Sequence, residues 1–326
     1  MQVVTFGELL LRLDTPGHER FVQAREFVAR YTGGEANVAV ALAQWGARAR
    51  AVSRVPAHEI GQACINELRR YGVDTAGIVR GGQRLGLLYV ETGASQRASN
   101  VIYDRLHSSF REARPGDFDW NALLAGTDWL HFSGTAPALG ANLVDVLHGA
   151  LQTARRLNVP VSFDCNFRST LWSRAEARAV LPGLLNDVSV FVGSPHDAAQ
   201  LFDITGTPSE RAAELRRRFA LRCVGFTLRE GDSASVSRLS GLVCDAGSCH
   251  ISREYEMQVV DRIGGGDAFT AGLIHGLACG WPIPRVAEFA TAAACLKHSI
   301  PGDFNLVSLE EVERLVESGD AGPVRR

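Results

Sequence analysis

A mostly parallel β-sheet with helices on both faces, carrying a small second β-sheet, is the α/β fold that this 326-residue sequence predicts. Two observations lead there. Short apolar runs alternate with stretches of helical periodicity from residue 3 to residue 228, and strands that alternate with helices run parallel and are buried on both faces. Two stretches, 9–31 and 84–105, break the alternation with strand-like residues and no helix between them. The length suits one large domain or two small ones. No internal repeat, low-complexity tract or Pro/Gly/Ser linker divides the chain, so 1–326 reads as a single domain.

Residues 3–6, closed by Gly7, form a buried strand feeding a turn. The run 36–45 (ANVAVALAQW) is a helix packed by small residues, and 49–55 is the next strand. Within 60–71, Ile60, Cys64, Ile65, Leu68 and Tyr71 recur at helical spacing, and Gly72 supplies the stop. Strands follow at 129–132, 159–164, 188–192 and 223–228, with helices at 141–157, 174–185, 197–202 and 209–219. LLLRLD, EFVARY, RLGLLYVET and SNVIYDR are the strands of the extra sheet. Residues 317–326 read as a frayed tail.

Composition excludes several classes. With Lys+Arg 34 and Asp+Glu 36, the net charge of −2 argues against a nucleic-acid-binding surface. No apolar run is long enough to cross a bilayer; the best, 269–284, is interrupted by Gly, His and Pro. The first residues carry no basic region and no small-residue cleavage site, so the expectation is a cytoplasmic protein without a membrane partner. Seven scattered cysteines read as reduced thiols; Cys244 and Cys249 are close, but no second pair stands at zinc spacing.

Of the 34 basic residues only Lys297 is a lysine. A Walker A loop and the protein-kinase V-A-I-K lysine are therefore absent, and Schiff-base chemistry would rest on Lys297 alone. Any phosphate site must use backbone amides, arginine or a metal.

The sharpest local feature is 259–270, VVDRIGGGDAFT. A strand alternating at Met257 and Val259 ends at Asp261, three glycines follow, and Asp267 opens the helix AFTAGLIHGLACG. Glycines allow a tight turn and close approach of a ligand. The free N–H groups and positive dipole end of the helix then make an anion site. Asp267 has two readings: an N-cap worth about 1 kcal/mol, or a carboxylate beside bound phosphate that takes a proton from an attacking hydroxyl. A dinucleotide fingerprint fails, because Phe269 stands where its third glycine should be.

Three motifs in order now resemble the ribokinase-like (phosphofructokinase-B-type) sugar kinases over nearly the whole chain. Residues 261–267 (DRIGGGD) match the family's D-T-x-G-A-G-D signature, with Arg262 for Thr and Gly265 for Ala. Residues 32–39 (TGGEANVA) match its diglycine and Asn, and 164–168 (DCNFR) a middle D-x-N-x-R stretch. The stretches LYVE, VIYDR, HFSGTAPAL, FDCNFRSTLW and KHSIPGDF are similar to the 2-keto-3-deoxygluconate kinases within it. The resemblance implies a three-layer ribokinase-like fold whose extra strands, within about 9–31 and 84–110, form a lid and a homodimer interface.

It also implies in-line phosphoryl transfer from ATP. Asp267 would accept the proton of the sugar's terminal hydroxyl, and the amides of Gly264, Gly265 and Gly266 would hold the charge on the transferred group. Gly33, Gly34 and Asn37 would admit and fix the sugar. Arg105 and Arg168 can fork onto a carboxylate, and Tyr89 and Tyr103 can stack on the carbon chain. The nucleotide side falls on Thr227, Arg229, Gly231, Gly264 and Gly266. Mg²⁺ would be held largely through water, with Asp197 as a ligand, and a monovalent cation is a further expectation.

Departures from the pattern keep alternatives open. SPHD at 194–197 stands for the family's N-x-x-E, TLREGDSA at 227–234 lacks the Gly-x-x-Gly of the nucleotide loop, and the diglycine is one residue closer to Asn37 than usual. A neutral-sugar kinase such as a fructokinase, or a sugar-sensing protein without turnover, are the competing readings. The arginine pair 105 and 168 separates the first, and Asp267 with its glycine turn the second.

Overall fold

The computed structural model describes residues 1–230 and 233–319. Its first strands and helices come in the order β1 (Gln2–Phe6), β2 (Leu10–Asp14), β3 (Val28–Thr32), α1 (Gly34–Gln44), β4 (Arg48–Val55), α2 (Glu59–Arg70) and β5 (Asp74–Arg80). Strands β6 (Gly86–Glu91) and β7 (Asn100–Asp104) follow, then α3 (Trp120–Leu124), β8 (Trp129–Ser133), α4 (Thr135–Ala138), α5 (Ala141–Arg156) and β9 (Val161–Asp164). Next are α6 (Arg174–Leu185), β10 (Val190–Gly193), α7 (Pro195–Phe202), α8 (Pro208–Arg218) and β11 (Cys223–Glu230). The chain ends with β12 (Val236–Cys244), β13 (Cys249–Ile251), β14 (Tyr255–Gln258), α9 (Gly265–Ala278), α10 (Ile283–Lys297) and α11 (Leu309–Ser318).

Seven strands, β11-β10-β9-β8-β1-β4-β5, lie side by side and parallel. Such strands are buried on both faces, and β1 and β8 are buried along nearly their whole length, polar Thr5, His131 and Ser133 included. One face packs on α5 to α8, through Leu143, Leu147, Leu181, Leu201 and Leu215. The other packs on α1, α9 and α10, through Val38, Phe269, Leu273 and Phe289. Helix α1 is alanine- and valine-rich because it is buried almost all round, between the sheet and α9. Gly72 follows α2 in the left-handed region at φ 79°, where glycine carries no Cβ penalty.

The second sheet has four strands in the order β3-β2-β6-β7, all from the two stretches that broke the alternation. Its buried face is tied to the main body by a guanidinium that pairs with three carboxylates. Arg12 on β2, 2% exposed, donates Nε to Asp14 at 2.7 Å and Nη2 to Asp261 at 2.6 Å, and pairs with Asp303 through Nη1. Asp303 also accepts from Thr32 on β3.

Three expectations need correction, and one edge adds to the sheet. The strand before the glycine turn stops at Gln258, because the amides of Val260 and Asp261 turn away to the carbonyl of His298. An antiparallel edge of β12, β13 and β14 extends the sheet beyond β11. Cys244 and Cys249 are not free thiols: the antiparallel register sets them directly opposite, with Cα atoms 4.1 Å apart, and they form a disulfide. Residues Glu317 and Ser318, read as tail, are the last turn of α11, closed by Gly319; 320–326 lie outside the described residues. Among the described residues no helix is long and apolar enough to cross a membrane.

Candidate active site

The carboxyl ends of parallel strands are where α/β sheets open a crevice, and here the ends of β1, β8, β9, β10 and β11 meet the lid sheet around a pocket of about 540 Å³. Glu8 follows β1, Asp164 ends β9, Asp197 follows β10, and Thr227 and Arg229 lie on β11. The glycine turn and the start of α9 close the floor.

Asp267 is not the N-cap of α9. That place belongs to Gly264, which sits in the left-handed region at φ 87° and makes no side-chain cap bond. A Cβ there would meet the Asp303 carbonyl at 2.0 Å, so both the turn and the close approach require glycine. Asp267 instead points into the pocket and accepts a 2.6 Å hydrogen bond from Asn37 Nδ2. Burial, reinforced by the Asp164 carboxylate, pushes its pKa up to about 8, against the Asn37 bond that lowers it. Burial likewise raises Asp164 to about 7, although the Asn166 amide donates to it at 3.0 Å. Asn166 holds a positive φ of 35° that asparagine tolerates better than most residues.

The two glycines before α1 do different work. A Cβ at Gly33 would lie 2.3 Å from the Glu8 carbonyl, so this glycine lets two backbones touch. A Cβ at Gly34 would stand 3.5 Å from Asp267 Oδ1 and 3.6 Å from Asn166 Nδ2, so its open face belongs to the pocket. Both line the pocket with Asn37. Gly266 and Gly264 line it too, but Gly265 does not: its Cα is packed against the ring of His298, where a Cβ would come within 2.2 Å.

From the lid, Tyr103 and Arg105 enter the pocket, with the guanidinium 4.4 Å over the Tyr103 ring. Arg105 Nε lies 3.4 Å from Glu8 Oε2 as an ion pair, and among the described residues neither of these buried atoms has a hydrogen-bond partner. Tyr89 is not at the site. Strand alternation sends its neighbour Leu88 into the pocket and turns Tyr89 to the outer face, edge-on to Phe27. Arg168 lines the pocket from the loop after β9 and is exposed.

On the far side Thr227, Arg229 and Arg262 line the pocket. Arg262 stands close enough to Arg229 for their charges to interact, and donates to the Ser233 carbonyl. Gly231 lies outside the described residues.

Residues 1–306 match the sequence profile of the pfkB family carbohydrate kinases. The chain belongs to this family. The kinase is 34% identical to a 2-dehydro-3-deoxygalactonokinase of Haloferax volcanii, over 98% of each chain. Its fold superposes on a crystal structure described as 2-dehydro-3-deoxygluconokinase from Thermotoga maritima, with a TM-score of 0.96 at 44% identity and 98% of each chain covered. A pfkB family carbohydrate kinase from Listeria grayi gives a TM-score of 0.95 at 37% identity, over 98% of this chain and 100% of the other. The ribokinase-like architecture and the carbohydrate-kinase class thus rest on both sequence and structure.

Among the described residues of the kinase, no three His, Cys, Asp or Glu side chains converge to hold a metal by themselves. Asp197 lines the pocket, but its Oδ2 already accepts from the Ser194 amide at 2.8 Å and hydroxyl at 2.6 Å, closing the capping box of α7. The oxygen donors present, Asp164, Asn166 and Asp197, suit a Mg²⁺ ion that keeps most of its waters.

Sequence reasoning missed Glu8, Glu35, Asp164, Arg262 and Asp303, all on the pocket wall. Asp164 lay inside a quoted motif, and Arg262 at a position where the signature has threonine. Glu35 is 2% exposed and accepts from the Ser133 amide at 2.9 Å. The packing of α1 against the end of β8 brings that contact about, and no local pattern signals it.

Proposed function

We propose that this kinase phosphorylates 2-keto-3-deoxygluconate on its terminal hydroxyl with Mg·ATP, giving the 6-phosphate. The observation that carries this reading is Arg105 at the lid end of the pocket. It is held over Tyr103 beside Glu8, with hydrogen-bonding capacity on both Arg105 Nε and Glu8 Oε2 unspent. A buried polar atom left without a partner costs about 1–3 kcal/mol, and a sugar acid carries both a carboxylate for the guanidinium and hydroxyls for Glu8. Arg168 at the pocket mouth adds a second fork. The names of the relatives support the same substrate class, one ending in galactonokinase and one in gluconokinase.

At the floor, Asp267 takes the proton of the terminal hydroxyl as its oxygen attacks the γ-phosphorus; the new O–P bond forms while the bond to the β,γ-bridging oxygen breaks and ADP leaves. Asn37 holds the carboxylate in place for this. The uncapped amides at the start of α9 face the charge gathered on the transferred group. Arg229 and Arg262 supply positive charge on the nucleotide side, in place of a phosphate-loop lysine. Asp164 and Asp197 would hold Mg²⁺ through water, and the ion would supply positive charge to the nucleotide phosphates. The lid excludes water, and its apolar outer face, with Phe27 42% and Ile102 49% exposed, is the surface through which we propose the kinase dimerises.

The test is ADP release against 2-keto-3-deoxygluconate, its C4 epimer, fructose and ribose. The keto acid is expected to dominate, and Arg105→Met to raise its KM by about 100-fold, the loss of about 2.7 kcal/mol for a charge-assisted contact. Preference for the epimer would move the assignment within the acid class. Efficient turnover of fructose, or an Arg105→Met enzyme with unchanged KM, would overturn it.

A further inference from the structure

One buried charge is unused by this chemistry. Lys297, the single lysine among 34 basic residues, ends α10 and is 0% exposed. Its Nζ donates to two backbone carbonyls, Asp261 at 3.3 Å and Ile300 at 3.2 Å. These carbonyls belong to the two segments that seat the glycine turn. The Asp261 carboxylate joins the same segments, accepting from the amide of Gly302 at 2.9 Å and of Ile263 at 3.0 Å. Gly264 rests on the Asp303 carbonyl, and the carbonyl of His298 takes the amides of Val260 and Asp261.

Burying an ammonium costs several kcal/mol unless it is paired and hydrogen-bonded, and an apolar side chain would fill the space without that cost. Here the carboxylates of Asp261 and Asp303 oppose the cost, both attracting the charge. The chain uses arginine everywhere else. An arginine fork is planar and broad, whereas an ammonium is compact and near-spherical, as a monovalent metal ion is. Backbone carbonyls converging on a compact cation, beside carboxylates, are the surroundings of such an ion.

We propose that the Lys297 ammonium is the built-in monovalent cation of this kinase: it occupies the carbonyl seat beneath the glycine turn and positions the amides and Asp267 above it, so that turnover needs no K⁺. The residues therefore do not fit the free monovalent cation that the family resemblance implies. Lys297 touches no reacting atom and is a positioning residue. The inference rests on the phosphoryl-transfer reading only for its kinetic arm.

The test compares wild type and Lys297→Ala in KCl, NH₄Cl and tetramethylammonium chloride at equal ionic strength, by thermal melting and by ADP release. Wild type is expected to melt at the same temperature and turn over within twofold in all three salts. Lys297→Ala should lose about 100-fold in kcat, as expected for reacting groups displaced by about 1 Å, with KM for the sugar little changed. K⁺ or NH₄⁺, but not tetramethylammonium, should then raise both its kcat and its melting temperature. Wild-type activation or stabilisation by K⁺ would overturn the proposal, and that measurement does not depend on the variant folding. A variant that keeps its kcat, or one that loses it and responds to no cation, would overturn it equally. If wild type turns over no sugar, the kinase reading fails and the melting data alone decide this one.

Discussion

Asp267 shows how a residue's neighbours decide its chemistry. Buried beside Asp164, it holds its proton up to about pH 8 in the folded protein, while in the unfolded chain it ionises near 3.8. The folded state therefore binds more protons between those values, and stability falls as pH rises through that window. Activity runs the other way, because a proton acceptor must be ionised. We expect kcat/KM to climb between about pH 7 and 8, the range over which Asp164 and Asp267 titrate. Asp267→Asn should lower kcat by about 10²–10⁴-fold yet raise stability by about 1–3 kcal/mol at pH 8, a part of the roughly 1.4 kcal/mol per pKa unit at stake. At pH 4 the gain should vanish. Denaturant titration at the two pH values checks this; equal effects at both would refute the assignment.

At the scale of elements, the lid and the glycine turn are parts of one buried network. Arg12 on β2 bridges Asp14 in the lid to Asp261 before the turn and Asp303 after α10, and Thr32 on β3 joins it through Asp303. Removing one member of such a network leaves uncompensated buried charge and costs about 3–5 kcal/mol. Arg12→Ala is thus expected to lose that much in denaturant unfolding and to raise the KM for sugar, since β2 and β6 hold Leu10 and Leu88 against the pocket. A loss below about 1 kcal/mol would show that the lid is anchored elsewhere.

For the whole molecule, the outer face of the lid is the surface through which we propose assembly. Leu11, Leu13, Leu87, Tyr89 and Ile102 alternate to that face, away from the pocket-facing Leu10, Leu88 and Tyr103. These side chains are half-buried except for the exposed Ile102; a partly exposed apolar sheet face is a candidate interaction surface, and we expect a homodimer joined there. In sedimentation velocity, Ile102→Glu should shift the protein from dimer to monomer at micromolar concentration. A monomeric wild type would refute the interface.

The core parallel strands, the extra sheet, the longer helices up to α9 and the glycine turn are legible in the sequence, because each is written in a local period or in residues with few backbone choices; α10, α11, β5, β12 and β13 were not read from it. α6 begins and ends where its periodicity does, at Arg174 and Leu185. Asn37, Arg105 and Asp267, singled out through motifs that resemble the family's, all line the pocket. Tertiary structure decided the rest. Which of Leu88 and Tyr89 meets the pocket depends on which face of the lid is buried, and two adjacent strand residues cannot share a face. Whether Asp267 caps α9 or faces the pocket depends on Asn37, 230 residues away. Lys297 was conspicuous as the sole lysine, and the Ile300 carbonyl is a local partner three residues on, but the Asp261 carbonyl comes from 36 residues away through the tertiary packing. Local chemistry names the candidate groups; long-range packing sets their partners, burial and charge.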